Sequence, residues 1–347
     1  MKAKAPWLPG YLGAILIAVL TSMGSPSSGR PGEPLKVIPI RRVGYLPTDE
    51  QIVQGCLLKH VNPICADTQG NIYVADWNYC VVYKFSSSGV LLGSFGRKGQ
   101  GPDEYGSIND MAAFSGGIAI HDVSNMRCVL VDSLGKILSS FKLRKQYRGL
   151  AVSKDATKIY MEPVSGDALV DVLDTHGNDQ SSYGKKIDFE NEHNALNDVF
   201  LSVNEAGEVW AAWKFFTVIR GYSAEGKLIS EIRIKDAALE AHITKNEKAA
   251  ASPAVSNSVS LIGINNGFYV DEEGCYTFLY GENRQPRILR YDREGNQAAV
   301  YEIADNVEKE IYVNLLVSGK GQETTFSVLQ GFPEPRVDIY KISSSGR

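Results

Sequence analysis

The sequence predicts an all-β fold: a six-bladed β-propeller of four-stranded antiparallel blades, its ring closed by a strand from the N-terminus. Three observations lead there. Short alternating segments and glycine turns recur at a period of roughly 40–50 residues, the length of one blade. Helix-period patterning is scarce after Leu35. The last repeat stops one strand short, and a strand-like segment stands unclaimed near the start.

The repeat has two landmarks. One is a turn leading into an alternating strand: Gly70 before IYVAD, Gly116 before GIAIHD, Thr157 before KIYME, Gly207 before EVWAAW, Gly274 before CYTFLY, and a weaker copy near Gly321 before TTFSVLQ. The other is a turn glycine between two strands, at Gly89, Gly135, Gly177, Gly226, Gly295 and Gly346. A single four-stranded sheet cannot bury both faces alone, so the copies must stack, and a closed ring removes the exposed end faces. One spacing is longer than the rest and places an insertion at about 235–262. Its first part, Asp236 to Ala251, is rich in Ala, Glu and Lys and fits a helix. This segment reads as a surface excursion or as a lid over the central channel.

Closure follows from the ends. The final repeat runs out after a third strand near Val337 to Ile342, and the missing outermost strand is Lys36 to Val43. Pro39 suits an edge strand, which can spare one backbone donor.

The 347 residues, 44% of them apolar, allow one large β unit. A net charge of −4 argues against a basic surface for nucleic acid. Lys2 and Lys4 precede a ten-residue apolar run, Tyr11 to Leu20, followed by small residues including Ser22 and Gly24. A bilayer span needs about 20 apolar residues, so residues 1–24 read as a cleaved signal peptide. Residues 25–34 form a linker and 35–347 the propeller, placed in the periplasm or outside the cell, with no stable membrane insertion after cleavage. Five cysteines, an odd number without a C-x-x-C pair, read mainly as small buried strand residues.

Three segments carry a resemblance. DTQGNIYVAD (Asp67 to Asp76) has a glycine turn leading into a strand that ends in Asp. SFGRKGQGPDEY (Ser94 to Tyr105) looks like the blade linker F-G-x-x-G-x-G-P-G-E-F, with Asp103 in place of glycine and Tyr105 in place of phenylalanine. Asn125-Met126-Arg127 looks like the Asn-x-Arg that opens a third strand. Here the chain resembles the NHL-repeat propellers, in their exported bacterial form. The later blades keep the rhythm without these letters. The resemblance implies the fold and several possible roles, since such propellers include protein-binding and nucleic-acid-binding modules, extracellular sensors and an amidating lyase.

In a propeller, strands are ordered a to d from the axis outward, and ligand sites commonly lie where the b–c loops and the blade linkers meet. Mapping the repeats onto that face collects arginines and aromatic rings, a combination suited to anionic groups or sugars. The candidate ligand-binding residues are Arg127, Arg148, Arg287, Trp213 and the pair His121-Asp122. Arg127 and Arg287 share a repeat position in the second and fifth blades and could face each other across the axis. His60, His121, His193 and His242 map to this face without a metal-binding spacing. No cofactor is expected beyond a divalent metal that the channel could hold. Asp110, Asp122, Glu162, Asp198 and Asp76 could meet at the axis, although Asp76 and Asp122 share a position suited to accepting backbone N–H groups in the b–c turn. The expected role is a non-enzymatic binding or scaffold module for a protein, a glycan or a small anionic ligand, with no nucleic-acid partner. The alternative is a metal-dependent lyase or lactonase-type hydrolase in the channel.

Overall fold

The computed structural model describes residues 34–43, 58–191, 193–252, 259–280, 285–303, 311–332 and 335–342. The expected signal peptide lies outside them, and no helix among the described residues is long and apolar enough to cross a membrane.

Strand β1 (Leu35–Val43) precedes six four-stranded units. The first blade holds β2 (Val61–Ala66), β3 (Ile72–Asp76), β4 (Val81–Phe85) and β5 (Leu91–Phe95). The second holds β6 (Ile108–Phe114), β7 (Gly117–Asp122), β8 (Arg127–Asp132) and β9 (Ile137–Lys142). The third holds β10 (Tyr147–Val152), β11 (Ile159–Pro163), β12 (Ala168–Leu173) and β13 (Asp179–Lys185). The fourth holds β14 (Val199–Val203), β15 (Val209–Trp213), β16 (Val218–Tyr222) and β17 (Leu228–Arg233). Helix α1 (Glu240–Ala250) follows in the insertion. The fifth blade holds β18 (Asn265–Val270), β19 (Gly274–Tyr280), β20 (Pro286–Asp292) and β21 (Gln297–Ile303). The sixth holds β22 (Ile311–Ser318), β23 (Thr325–Phe332) and β24 (Arg336–Ile342).

Each blade is antiparallel and sequential, and β1 supplies the sixth blade's fourth strand. It pairs antiparallel with β24 from Val37–Ile342 to Val43–Val337, with a register shift between Pro39 and Arg41. Its first three residues also run parallel to β21. The closure read from the ends of the sequence is therefore present, with β1 joining the fifth and sixth blades into one eight-stranded sheet.

The first strands β2, β6, β10, β14, β18 and β22 contact one another in turn around a ring that closes on β2. Six apolar clusters sit between successive blades. The ring-closing cluster packs Ile64, Val74 and Phe85 of the first blade against Leu329, Val337 and Ile339 of the sixth. Second strands are covered on both faces, and β3, β7, β11 and β15 are buried throughout. That burial departs from the alternation expected of IYVAD and VWAAW: both faces are covered, so these strands are near-continuous apolar runs instead.

The recurring turn glycines serve this stacking. Gly89, Gly135, Gly177, Gly226 and Gly295 join third to fourth strands with φ between +77° and +88°. At Gly135 a Cβ would lie 2.3 Å from the ring of Phe95 in the preceding blade, so the turn needs both the left-handed conformation and the missing side chain.

The insertion is fastened rather than loose. Buried Asn246 donates to the Phe215 and Ile262 carbonyls at 2.7 Å each and accepts from Ile262 N–H at 2.9 Å. Leu239 enters the cluster between the fourth and fifth blades, and Ala250 the cluster between the third and fourth. The described cysteines Cys65, Cys80, Cys128 and Cys275 are buried free thiols.

Candidate functional site

In the first and second blades, the aspartate ending the second strand organises the loop face. Asp76 accepts from the backbone N–H groups of Lys59, His60, Asn78 and Tyr79. Asp122 does the same for Gly106 and Ser107 at 3.0 and 3.2 Å, and it takes Asn125 Nδ2 at 2.7 Å and Arg127 Nε at 3.0 Å. Both are fully buried, which matches the turn-capping reading.

Arg127 completes that arrangement. Its Nη2 donates to the carbonyls of Gly101 and Glu104, and its guanidinium lies over the Tyr105 ring. The linker it braces owes its glycines to close packing. Glu104 accepts from Gln100 and Gly101 N–H and pairs with Arg97. A Cβ on Gly99 would sit 2.1 Å from the Glu104 carboxylate.

Arg287 is also committed within the chain, pairing with Asp236 of the insertion at 2.9 Å. Arg127 and Arg287 both lie on third strands, and each is taken up by the linker preceding its own blade. Pairing across the axis is therefore not the arrangement they adopt. Trp213 is fully buried rather than displayed. Its Nε1 donates to Asn197 Oδ1 at 3.0 Å, and the Arg220 guanidinium covers its ring.

Of the expected arginines, Arg148 is the one set among charged groups at the axis. It is the second residue of innermost strand β10 and keeps about a quarter of its side chain exposed (23%). It forms an ion pair with Asp198, stands 3.8 Å from Glu162 Oε1, and donates to the backbone and side-chain oxygens of Asn194 at 3.0 and 2.7 Å. Asp198 precedes β14, Glu162 is the penultimate residue of β11 and Lys214 follows β15, so the third and fourth blades bring these groups to the loop end of the axis.

Register supplies two more members. Ile108 pairs with Asp122 and Tyr147 with Pro163, so His121 and Glu162 occupy the same repeat position in neighbouring blades. Asp110 lies opposite His121, and its carboxylate accepts from Leu150 N–H at 2.8 Å. The buried atoms Glu162 Oε1 and His121 Nδ1 have no hydrogen-bond partner among the described residues.

Burial sets the protonation of the cluster. It pushes the Glu162 carboxyl up to about 8, against the opposing pull of Lys214, while Asp198 raises it further. Burial likewise lifts Asp110 to about 6 and raises Asp198, with Lys214 pulling both back. It pushes His121 down to about 4. The site therefore holds a protonated glutamic acid and a neutral imidazole at neutral pH, beside a guanidinium and an ammonium. Among the described residues, no three His, Cys, Asp or Glu side chains converge as a metal cage.

A stability profile tests this protonation. Between the ordinary glutamate value of 4.5 and about 8 the folded state holds the Glu162 proton and the unfolded chain does not, so stability falls as pH rises through that window. His121 acts at the other end, costing stability as pH falls from 6.5 through about 4. Glu162→Gln is expected to remove the alkaline decline. Melting curves should show the variant gaining on the wild type from pH 5 to pH 8, and a constant difference would refute the assignment.

The hairpin end of the axis also opens. Two cavities of about 380 and 400 Å³ share Tyr269, Val317 and Ser318 there, the first bordered by Glu205, Asp271, Glu272, Glu273 and Lys320.

The fold has counterparts. Residues 45–149 match a family model described as a 6-bladed beta-propeller. No curated protein matches the chain. A protein from Bacteroides fragilis, described as exported, superposes with a TM-score of 0.55 at 12% identity, covering 88% of this chain and 95% of that one. U3-55K gives 0.51 at 13% identity, covering 82% and 96%. BBS1N, solved in complex with ARL6DN, gives 0.50 at 12% identity, covering 84% and 80%. At these identities the likeness concerns the fold alone.

Proposed function

We propose that this chain is an exported, non-enzymatic binding module that receives a small polyhydroxylated anion at the loop end of its axis. The observation that carries the reading is the Arg148 array: a partly exposed guanidinium on an innermost strand, held between Glu162 and Asp198, with Lys214 in electrostatic reach. Arginine and lysine supply donors for a carboxylate, and the acidic side chains meet hydroxyl groups, which is the chemistry a uronic acid presents. A few convergent polar groups in a recess are the usual form of such a site. Export rests on the N-terminal segment, and the similarly folded B. fragilis protein is described as exported. The NHL likeness of the first two blades gains support from the linker, where Gly99, Glu104, Tyr105 and Arg127 form one packed unit.

Calorimetric titration with D-galacturonate, and with D-galactose as the uncharged control, tests the reading. Millimolar or tighter binding of the uronate is expected, with roughly a tenfold or greater loss in Arg148→Ala for one charge-assisted contact. Arg127→Ala combined with Arg287→Ala should leave binding per folded molecule intact while lowering the melting temperature. No uronate binding by the wild type, or binding indifferent to Arg148→Ala, would sink the proposal.

One observation favours a second reading. Glu162, protonated at neutral pH beside the Asp198 carboxylate, is placed as a proton donor for lyase- or hydrolase-type chemistry. Turnover of an offered uronide or lactone, abolished in Glu162→Gln, would select that reading over simple binding.

A further inference from the structure

We propose that the recess beneath α1 is a second binding site, separate from the Arg148 array, for a small molecule with an apolar body and a positively charged end. The recess holds about 300 Å³ and lies between the helix, the linker from the third to the fourth blade, and the fourth b–c loop. That volume is at the small end for ligand pockets and suits one ring with a short chain.

The floor is apolar and aromatic. Phe189 stacks on Phe216 with ring centroids 4.6 Å apart, and Ile187, Val218, Ile243 and Ile264 complete it. A floor of this kind favours an aromatic or alkyl body over a polar one.

The walls are already in place. Besides the three bonds of Asn246, Asn191 N–H donates to the Ala250 carbonyl at 2.9 Å and Asn191 Nδ2 to that of Ala249 at 3.1 Å. These bonds hold the end of α1 to the linker opposite, so a ligand meets a formed recess and does not have to order it.

The rim decides the charge. Asp188, Glu190 and Glu247 border the opening, with Arg233 the one cationic side chain lining it. Arg233 is occupied by Glu231, through contacts of 2.9 and 3.2 Å. Asp188 pairs with Lys185 at 3.0 Å, whereas no described cation forms an ion pair with Glu190 or Glu247. Two uncompensated carboxylates over an apolar floor complement an ammonium or amidinium group and repel an anion.

The test compares three probes of closely similar size on the full chain by calorimetry: phenethylammonium, 2-phenylethanol and phenylacetate. The cation should bind most tightly, the alcohol more weakly and the anion not measurably. Glu190→Gln with Glu247→Gln should weaken the cation about fivefold, toward the alcohol, and leave the alcohol unchanged. Ala251→Trp, at an exposed position on the recess wall, should block the cation and the alcohol with the melting temperature preserved. Arg148→Ala should alter none of these affinities, which separates this site from the axial one. Equal binding of cation and anion, binding that survives Ala251→Trp, or no binding of the cation at millimolar concentration would overturn the proposal.

Discussion

A chain lacking residues 35–43 is expected to melt at least about 10 °C below the intact protein and to aggregate on heating. β1 contributes the outermost strand of the sixth blade, in register with β24 over most of that strand's length. Its Val37 is fully buried among Tyr301, Phe326, Tyr340 and Ile342, which makes it part of the apolar contact between the last two blades. Losing that side chain costs about 1.5–3 kcal/mol, and each lost ladder bond adds about 0.5–1.5 kcal/mol. Removal also leaves β24 as a bare edge beside β21, a template for pairing with another molecule. Val37→Asp, which keeps the ladder and spoils only the packing, should fall part-way. Melting curves and light scattering on both variants check the closure. Unchanged melting of the deleted chain would show that β1 does not hold the ring.

The blades and their closing strand could be read in the sequence because they follow from local chemistry. Glycine is needed at the turn joining third and fourth strands in each of the first five blades, and buried second strands leave runs such as IYVAD and VWAAW. Pro39 marked an edge, and the register shift beside it agrees. Asp76 and Asp122 were legible for the same reason, since a carboxylate at a turn finds backbone donors three residues on, Tyr79 N–H for the first and Asn125 N–H for the second.

The charged residues were harder to read because a side chain's partner depends on the neighbouring blade. Arg127, Arg148 and Arg287 all map to the loop face. Linker carbonyls take the first, Asp198 and Asn194 the second and the insertion the third. Trp213 ends a second strand as Asp76 and Asp122 do, yet Asn197 and Arg220 close over it. Glu162 and Asp198 were among the carboxylates that could converge. That Lys214 joins them was missed, although its position immediately after β15 on the loop face was a usable signal.

The sharpest single-residue effect should come from Asp122→Ala. The carboxylate is fully buried and satisfies backbone donors at Gly106 and Ser107, the Asn125 amide and the Arg127 guanidinium. Truncating it removes all of these at once and leaves a guanidinium in a residue only 8% exposed without its counter-ion. Breaking one side of a buried ion pair costs about 3–5 kcal/mol, because the remaining charge stays desolvated and unpaired. For a chain of this size that corresponds to a fall of roughly 4–8 °C. Asp122→Asn keeps an acceptor while losing the charge, and should lie between wild type and alanine. Adding Arg127→Met to Asp122→Ala should recover part of the loss, since the stranded charge goes with it, although the Gly101 and Glu104 carbonyls then lose their donor. The three variants also divide the two roles open to this pair. If Asp122 and Arg127 brace the linker, melting temperatures follow this order and galacturonate binding per folded molecule is unchanged. If they contact the ligand, Asp122→Ala melts like the wild type and the uronate affinity collapses instead.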